Sequence, residues 1–348
     1  MRNPYESSRG HIVKIWKSPE MFLGDAGAIE IASEISKHTD WVSIQLDWHQ
    51  IGPVGAEKLV SAIQENHLQC FSLSGNPIGN AGAIHFANSL KTPSFKLERL
   101  HLNRCRITAE GAVTLAESLK INKALKILDL RDNNIGDTGA IALAEAIKHN
   151  QSLEKIFLDA NHISDIGAIA LAQAIRHNRH LKEIFLDGND ISDKFAIELA
   201  LAIKENTGLE YISLDGNHIS NTGAIALAQA IRHNPHLKEI YLDGNDISKI
   251  HTEALEKAID KNKALSAMAG CARGVPKPPT NITTYGMWNK NTTIVGVILA
   301  ADVLANLTGY FIGGALSTFL FSPPVVILSV LIALAALSYQ VVGKELKF

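Results

Sequence analysis

The chain has little cysteine and little net charge, and each scarcity excludes a class of protein. Its 348 residues hold three cysteines, Cys70, Cys105 and Cys271, an odd number without metal-ligand spacing. Free thiols in a reducing compartment are therefore expected, rather than a disulfide framework or a zinc site. The formal net charge is only −2, and the sequence predicts no nucleic-acid partner because it carries no basic field.

Motifs of catalysis and cofactor binding are also missing. The sequence contains no glycine-rich phosphate loop, no HExxH helix and no nucleophile motif, so it predicts no enzyme, no cofactor and no small-molecule substrate. The pairs His177/His180 and His233/His236 have a spacing that metal sites use, but no cysteine or carboxylate completes a ligand set in either. A cationic role at a helix C terminus is the favoured interpretation. The first residues lack the apolar stretch of a signal peptide.

What the sequence does contain is an internal repeat. The segment GAIALAQAIRHN begins at Gly167 and again at Gly223, 56 residues later. Leucines spaced by 28 residues lead successive copies of the pattern L-x-x-[LIF]-x-L-x-x-[NC]-x-I, and less regular units upstream bring the count to nine over about residues 13–264. The regular lead leucines are Leu97, Leu125, Leu153, Leu181, Leu209 and Leu237.

Each unit is predicted to contain a short strand followed by a helix. The alternating apolar residues after the lead leucine are typical of a strand, and the Asn is expected to turn the chain. In the following segment, Leu143, Ala144 and Ile147 recur at helical spacing and form one apolar face. Asn150 is expected to end that helix in a left-handed cap. One unit cannot bury both elements alone, so stacked units must share a core.

The segments LDGNDIS and LDLRDNNIGDTGAIALAEAIKHN resemble repeats of the ribonuclease-inhibitor-like class of leucine-rich repeat proteins. They are similar to repeats of NOD-like receptors and of bacterial effectors of the GALA type. The resemblance implies an α/β fold, a right-handed horseshoe of nine strand–helix units with strands on the concave face and helices on the convex face. It also implies, by the likeness to effectors, a protein delivered into a host cell.

Residues two, four and six positions after each lead leucine are predicted to lie on the concave face. In the C-terminal half these positions hold acidic and aromatic residues, which predicts a binding surface for a protein partner with a basic surface. The aspartates allow a second interpretation, in which each one bonds locally within the LDGN turn. The predicted binding residues are Phe157, Asp159, Glu183, Phe185, Asp187, Tyr211, Asp215, Glu239, Tyr241 and Asp243.

The C-terminal residues predict a membrane anchor. Residues 303–321 and 325–342 carry no charge, and each segment is long enough to cross about 30 Å of hydrocarbon. A buried hairpin in a soluble domain is the alternative. Lysines flank the two segments on one side, which predicts that both ends face the cytosol. The predicted organisation is a lead (1–12), a repeat domain (13–265), a linker (266–292), a transmembrane hairpin (293–343) and a tail (344–348).

These features predict a non-enzymatic protein-binding module on an intracellular membrane, with its repeats in the cytosol. Two alternatives stay open. Ran GTPase-activating proteins share this repeat type, and that resemblance makes Arg131 a candidate catalytic contact. A sensor fragment like the repeats of NOD-like receptors is the other. Of the thiols, Cys105 is predicted to replace the turn Asn of its repeat, and Cys70 is predicted to be an exposed thiol with no activating neighbour.

Overall fold

A computed structural model describes residues 11–14, 22–38, 40–64 and 66–273. Strands and helices alternate along these residues, and the described strands form one parallel sheet in chain order. The strands are β1 (His11–Lys14), β2 (Trp41–Gln45), β3 (Cys70–Ser72), β4 (Arg99–His101), β5 (Ile127–Asp129), β6 (Lys155–Phe157), β7 (Glu183–Phe185), β8 (Tyr211–Ser213) and β9 (Glu239–Tyr241). The helices are α1 (Gly24–Ile35), α2 (Pro53–Gln64), α3 (Gly79–Leu90), α4 (Ala109–Leu119), α5 (Gly136–His149), α6 (Asp165–His177), α7 (Asp193–Glu205), α8 (Asn221–Ile231) and α9 (Lys249–Arg273).

The core lies between the sheet and the helices, and every repeat contributes the same positions to it. In the β5–α5 repeat, Leu128 and Leu130 point from the strand into the core, where they meet Leu143 and Ile147 of the helix, all four nearly inaccessible to solvent. The regular lead leucines are at most 2% exposed. Burial of this size supplies the main stabilising free energy of the stack. The predicted α/β solenoid of leucine-rich repeats is confirmed.

The turn asparagine holds consecutive repeats together at the end of each strand. The Asn189 side-chain nitrogen donates to the carbonyl oxygens of Leu158 in the preceding repeat and Leu186 in its own, both at 3.0 Å. Its side-chain oxygen accepts from the backbone amides of Asn161 and Ile163 at 3.0 Å. One amide therefore satisfies four backbone groups at a sharp bend, as the sequence pattern predicts. Cys105 takes this position in its own repeat and donates its thiol to the Leu73 carbonyl at 3.2 Å.

A second asparagine ladder runs along the C-terminal ends of the helices, and it corrects the predicted left-handed cap. Asn150 has extended backbone angles, φ −73° and ψ 136°. Its side-chain nitrogen donates to the Leu119 carbonyl at 2.7 Å, and its oxygen accepts from the Leu153 amide at 2.7 Å. Asparagine occurs at this position because its side-chain amide bridges adjacent repeats. A left-handed backbone is not the reason, since the backbone here is extended. Asn178, Asn206, Asn234 and Asn262 bond in the same way to the preceding repeat.

The predicted linker, transmembrane hairpin and tail lie almost wholly outside the described residues. Helix α9 continues to Arg273, so the predicted boundary at residue 265 falls inside it. In the part of the chain that the structure describes, no helix combines the length and apolarity required to span a bilayer. The two predicted spans, at 303–321 and 325–342, belong to the residues beyond it.

Candidate functional site

The face of the sheet that points away from the helices is the candidate site, and we call it the sheet face. Parallel strands pair in a constant register, so residues 28 apart become neighbours: Lys155 lies beside Glu183, and Phe157 lies beside Phe185. Since Ile156 and Ile184 point into the core, their alternate neighbours must point to the opposite side. The residues predicted from the sequence to share one face therefore do share it.

The middle of the sheet face is a packed aromatic cluster. The rings of Phe157 and Phe185 stack with centroids 4.5 Å apart and an interplanar angle of 17°. The Arg131 guanidinium lies 4.8 Å from the Phe157 ring centroid. The Lys155 ammonium lies 5.7 Å from the same centroid and forms an ion pair with Glu183. Phe157 is consequently only 8% exposed. Phe157, one of the predicted binding residues, is thus covered by Lys155 of its own strand, by Phe185 of β7 and by Arg131, which follows β5.

The C-terminal end of the sheet face is more open. Tyr241 on β9 is 44% exposed, and Tyr211 on β8 is partly exposed beneath the Lys238 ammonium, 5.7 Å from its ring centroid. The Tyr241 hydroxyl donates to the Glu239 carboxylate, and this bond raises the pKa of Tyr241 to about 12. Lys263 of α9 also approaches Glu239, at 3.5 Å. An acidic and aromatic patch is thus accessible at this end.

The aspartates six positions after the lead leucines form a hydrogen-bonded column. One oxygen of Asp159 accepts from the backbone amide of Asp187 at 3.0 Å, and Asp187 and Asp215 do the same for the next aspartate at 2.9 and 2.7 Å. The aspartates therefore have a structural role, but their bonds run to the following repeat rather than within their own LDGN turns. The column also brings carboxylates together on the sheet face, where Asp243 is exposed.

Crowding and burial change the acidity of this column. Burial and, to a smaller extent, the neighbouring Asp187 carboxylate raise the pKa of Asp159 to about 7 against the opposing hydrogen bonds. Burial, together with Asp187 and Asp243, also raises the pKa of Asp215. Asp159 is more deeply buried than Asp215, and the Arg131 charge acts on it. The negative charge available to a partner is therefore concentrated at the C-terminal end.

The N-terminal half of the sheet face forms a second feature, a groove of about 380 Å³ that we call the thiol groove. It is lined by Asp47, Trp48, Cys70, Ser72, Ser74, His101, Asn103, Arg104, Asp129, Arg131 and Asp132, with Gln45. On one side, Asp47 accepts hydrogen bonds from the Ser72 hydroxyl and the Ser74 amide. On the other, a His101 ring nitrogen lies 3.4 Å from an Asp129 oxygen. Most of the lining residues are polar, in contrast to the aromatic C-terminal half.

The structure bears on two predictions about this half of the sheet face. Arg131 was the candidate catalytic contact, but its Nε and Nη2 atoms donate to the two oxygens of Asp129 at 2.9 and 2.6 Å. This bidentate pair holds the guanidinium on the sheet over Phe157, which favours a structural role. Cys70 was expected to be exposed without an activating neighbour; it is 6% exposed, and it is hydrogen-bonded to His101.

The sequence contains the signal that would have found this contact. Writing the strands in register places Ser72 beside His101 and His101 beside Asp129. Cys70 precedes Ser72 by two residues on the same face of β3, so it is the diagonal neighbour of His101. A comparison of directly opposite positions does not find this contact, because Cys70 lies opposite Arg99 and reaches His101 only diagonally. The histidine pairs present no metal centre either: among the described residues, no three His, Cys, Asp or Glu side chains are grouped to hold a metal ion.

Comparison with known proteins agrees with this geometry. A family model described as "Leucine Rich repeat" matches residues 64–87, 94–116, 122–144, 149–172, 177–200, 205–228 and 233–249. The human protein "NACHT, LRR and PYD domains-containing protein 12" is 32% identical over 118 residues, which are 33% of this chain and 11% of that protein. The pig "Ribonuclease inhibitor" is 32% identical over 117 residues, 33% of this chain and 26% of that protein. The chain therefore aligns with about a quarter or less of each relative's length.

Proposed function

Since the chain belongs to the leucine-rich repeat family, in its ribonuclease-inhibitor-like class, we propose that it is a protein-interaction module whose sheet face binds a partner. A stack of short parallel strands supplies a rigid surface on which side chains keep fixed positions without loop ordering. Such a surface binds with a small entropic penalty because its contact residues are already in place.

One observation supports this proposal above the others, the open acidic and aromatic patch on β8 and β9. Tyr211 and Tyr241 present ring surface there, beside Glu239 and Asp243. Tyrosine is enriched at protein interfaces because one side chain offers both apolar area and a polar tip. A partly exposed tyrosine pair that no core position requires is therefore best explained as contact surface.

The charge of the patch favours a partner with a basic surface. Three further carboxylates of the column, Asp159, Asp187 and Asp215, lie beside it, and Lys155 is already paired with Glu183. Complementary charge raises the rate of association and weakens with added salt. The name of the pig relative says that it inhibits ribonuclease, so a ribonuclease is a concrete first partner to test.

The sheet face is tested by a paired substitution with a control. The variant Phe185→Ala/Tyr241→Ala truncates the partly exposed ring of Phe185 and the exposed ring of Tyr241, whereas Ile141→Ala/Ile225→Ala truncates two apolar side chains on the helices that are each as accessible as Tyr241. Loss of an anchoring aromatic weakens binding by about 2 kcal/mol or more. In proximity labelling in cells, the partner proteins that the native chain labels should be missing only with the first variant. Unchanged labelling by both variants would exclude the sheet face as the contact surface.

We further propose that the C-terminal segment anchors the module on an intracellular membrane with the repeats in the cytosol, and that the protein acts as a bacterial effector in a host cell. The support is the uncharged segments 303–321 and 325–342 and the likeness of the GAIALA repeats to effector repeats. A sensor fragment is the second candidate, favoured by the NACHT, LRR and PYD relatives. A partner found only after immune stimulation of the cell would favour the sensor.

The anchor has a direct test. Residues 266–348 fused to a fluorescent protein should associate with membranes and resist alkaline extraction, because two spans of this apolarity partition into hydrocarbon. Residues 1–265 should not sediment with membranes. The full chain recovered entirely in the supernatant after cell fractionation would refute the anchor while leaving the sheet-face proposal intact.

A further inference from the structure

The thiol groove contains a cysteine, a histidine and an aspartate in hydrogen-bonded sequence across three adjacent strands. Cys70 is on β3, His101 on β4 and Asp129 on β5. Cys70 and His101 line the groove from adjacent strands and interact through their side chains, and a ring nitrogen of His101 lies 3.4 Å from an Asp129 oxygen. Asp129 is fixed in turn by the two bonds from Arg131. A thiol, a base and an orienting carboxylate in this order form the arrangement that activates a nucleophile.

The protonation states of the pair support this assignment. Burial alone would lower the pKa of His101, but hydrogen bonds to Asp129 and Cys70 raise it to about 9. Burial raises the pKa of Cys70, and the bond to His101 with the nearby Arg99 outweighs it, so that the net pKa lies below the usual value of 9.0. The other charged side chains that line the groove are Asp47 on the β2 side, Arg104 after β4, and Arg131 and Asp132 after β5. The imidazolium and the thiolate therefore stabilise each other.

Cys105 shows what a structural cysteine in this fold looks like. It is fully buried in the turn ladder, donates to the Leu73 carbonyl, and has a pKa raised to about 12 by burial. Cys70, by contrast, lines an open groove that can admit a small molecule. The two cysteines therefore form a matched pair within one domain, with Cys70 as the reactive group and Cys105 as its internal control.

We propose that Cys70 is a nucleophilic modification site that forms a mixed disulfide with a low-molecular-weight disulfide entering the thiol groove. The Cys70 sulfur attacks one sulfur of the small disulfide, the new S–S bond forms as the old one breaks, and the second sulfur leaves as a thiolate. That thiolate takes the proton held by His101, so Cys70 is oxidised and the small molecule is reduced. A thiol in excess reverses the step by the same exchange. This site does not depend on the partner proposed for the sheet face.

The first experiment measures the alkylation rate of Cys70 by iodoacetamide against pH, with peptide mass spectrometry, in the full chain carrying Cys271→Ser. Since only the thiolate reacts, the rate should rise at a pH below that of free glutathione, while Cys105 stays unmodified. The His101→Gln variant should move this rise to higher pH and slow the reaction at pH 7 by about tenfold. If the alkylation rate of native Cys70 rises only at the same pH as that of glutathione or at a higher pH, the proposal is overturned. This comparison requires no variant.

The second experiment incubates the same chain with glutathione disulfide. The expected product is one glutathione on Cys70, removed by dithiothreitol and absent from the Cys70→Ser variant. Circular dichroism of each sample verifies that the repeats are folded. A folded chain that gains no glutathione on Cys70, or gains it equally on Cys105, would show that the groove is not a modification site.

Discussion

At the residue scale, the seventh position after the lead leucine has left-handed backbone angles whichever residue the sequence supplies. Asp132 and Ala160 have φ of 52° and 51°, and the glycines at 188, 216 and 244 have φ of 62°, 64° and 71°. The turn geometry is therefore imposed by the ladder of backbone and asparagine bonds on either side. Residues with a Cβ are strained here, and the LDGN repeats avoid that strain.

Neighbouring repeats allow this strain to be measured in both directions. Gly188→Ala adds a Cβ that meets no atom within 4 Å, so only the backbone conformation opposes it. We expect it to lower the free energy of unfolding by about 1 kcal/mol, and Ala160→Gly to raise it by up to about 1 kcal/mol, because glycine's own entropic penalty offsets part of the relief. Urea unfolding measures both. Shifts of equal sign would show that packing, not backbone strain, governs the position.

At the element scale, strand pairing decided which side-chain predictions succeeded. The parity of each strand follows from the alternation of buried residues, so the sequence predicted which residues share the sheet face. It did not predict that Phe157 is covered, because two of the covering side chains, Arg131 and Phe185, belong to the repeats on either side. Nor did it pair Cys70 with His101, because that contact is diagonal. Accessibility depends on neighbours one repeat away, which a single strand's sequence does not contain.

The same pairing gives the aspartate column a pH dependence. Burial and the Asp187 carboxylate raise the pKa of Asp159 from 3.8 to about 7. The folded state therefore retains a proton that the unfolded state has lost, and this contribution to stability is fully present below about pH 4 and disappears as pH rises through about 7. Asp159→Asn keeps an oxygen for the Asp187 amide without the charge.

We expect Asp159→Asn to raise the urea midpoint at pH 8 and to leave it nearly unchanged at pH 4, because at the lower pH the native carboxyl is already protonated. Asp132→Asn is the matched control, since Asp132 is exposed and pairs with Arg104 at the rim of the thiol groove. A stabilisation of equal size at both pH values would mean that charge in the column does not determine the effect.

At the scale of the whole molecule, each repeat of the described stack contacts its neighbours along the chain. The strand order follows the sequence, and adjacent helices pack pairwise. Stability is then close to a sum of repeat terms and nearest-neighbour interface terms. The duplicated segment GAIALAQAIRHN starts at Gly167 within α6 and at Gly223 within α8, so the two repeats between these points can be removed without creating a new interface.

Deletion of residues 167–222 joins Ile166 to Gly223 and regenerates the α6 sequence. Strand β9 would then pair with β6 in place of β7. The incoming strand has the sequence EIY and the strand that it replaces has EIF, so the two differ only in a ring hydroxyl. Since each remaining interface has a native counterpart, we expect cooperative urea unfolding at a lower midpoint, with the mean helical signal per residue retained. Deletion of residues 167–208 removes a repeat and a half, which fuses a helix start to a strand, and should abolish cooperative unfolding. If the in-register deletion also unfolds without a transition, the stack depends on long-range coupling rather than on interfaces between neighbours.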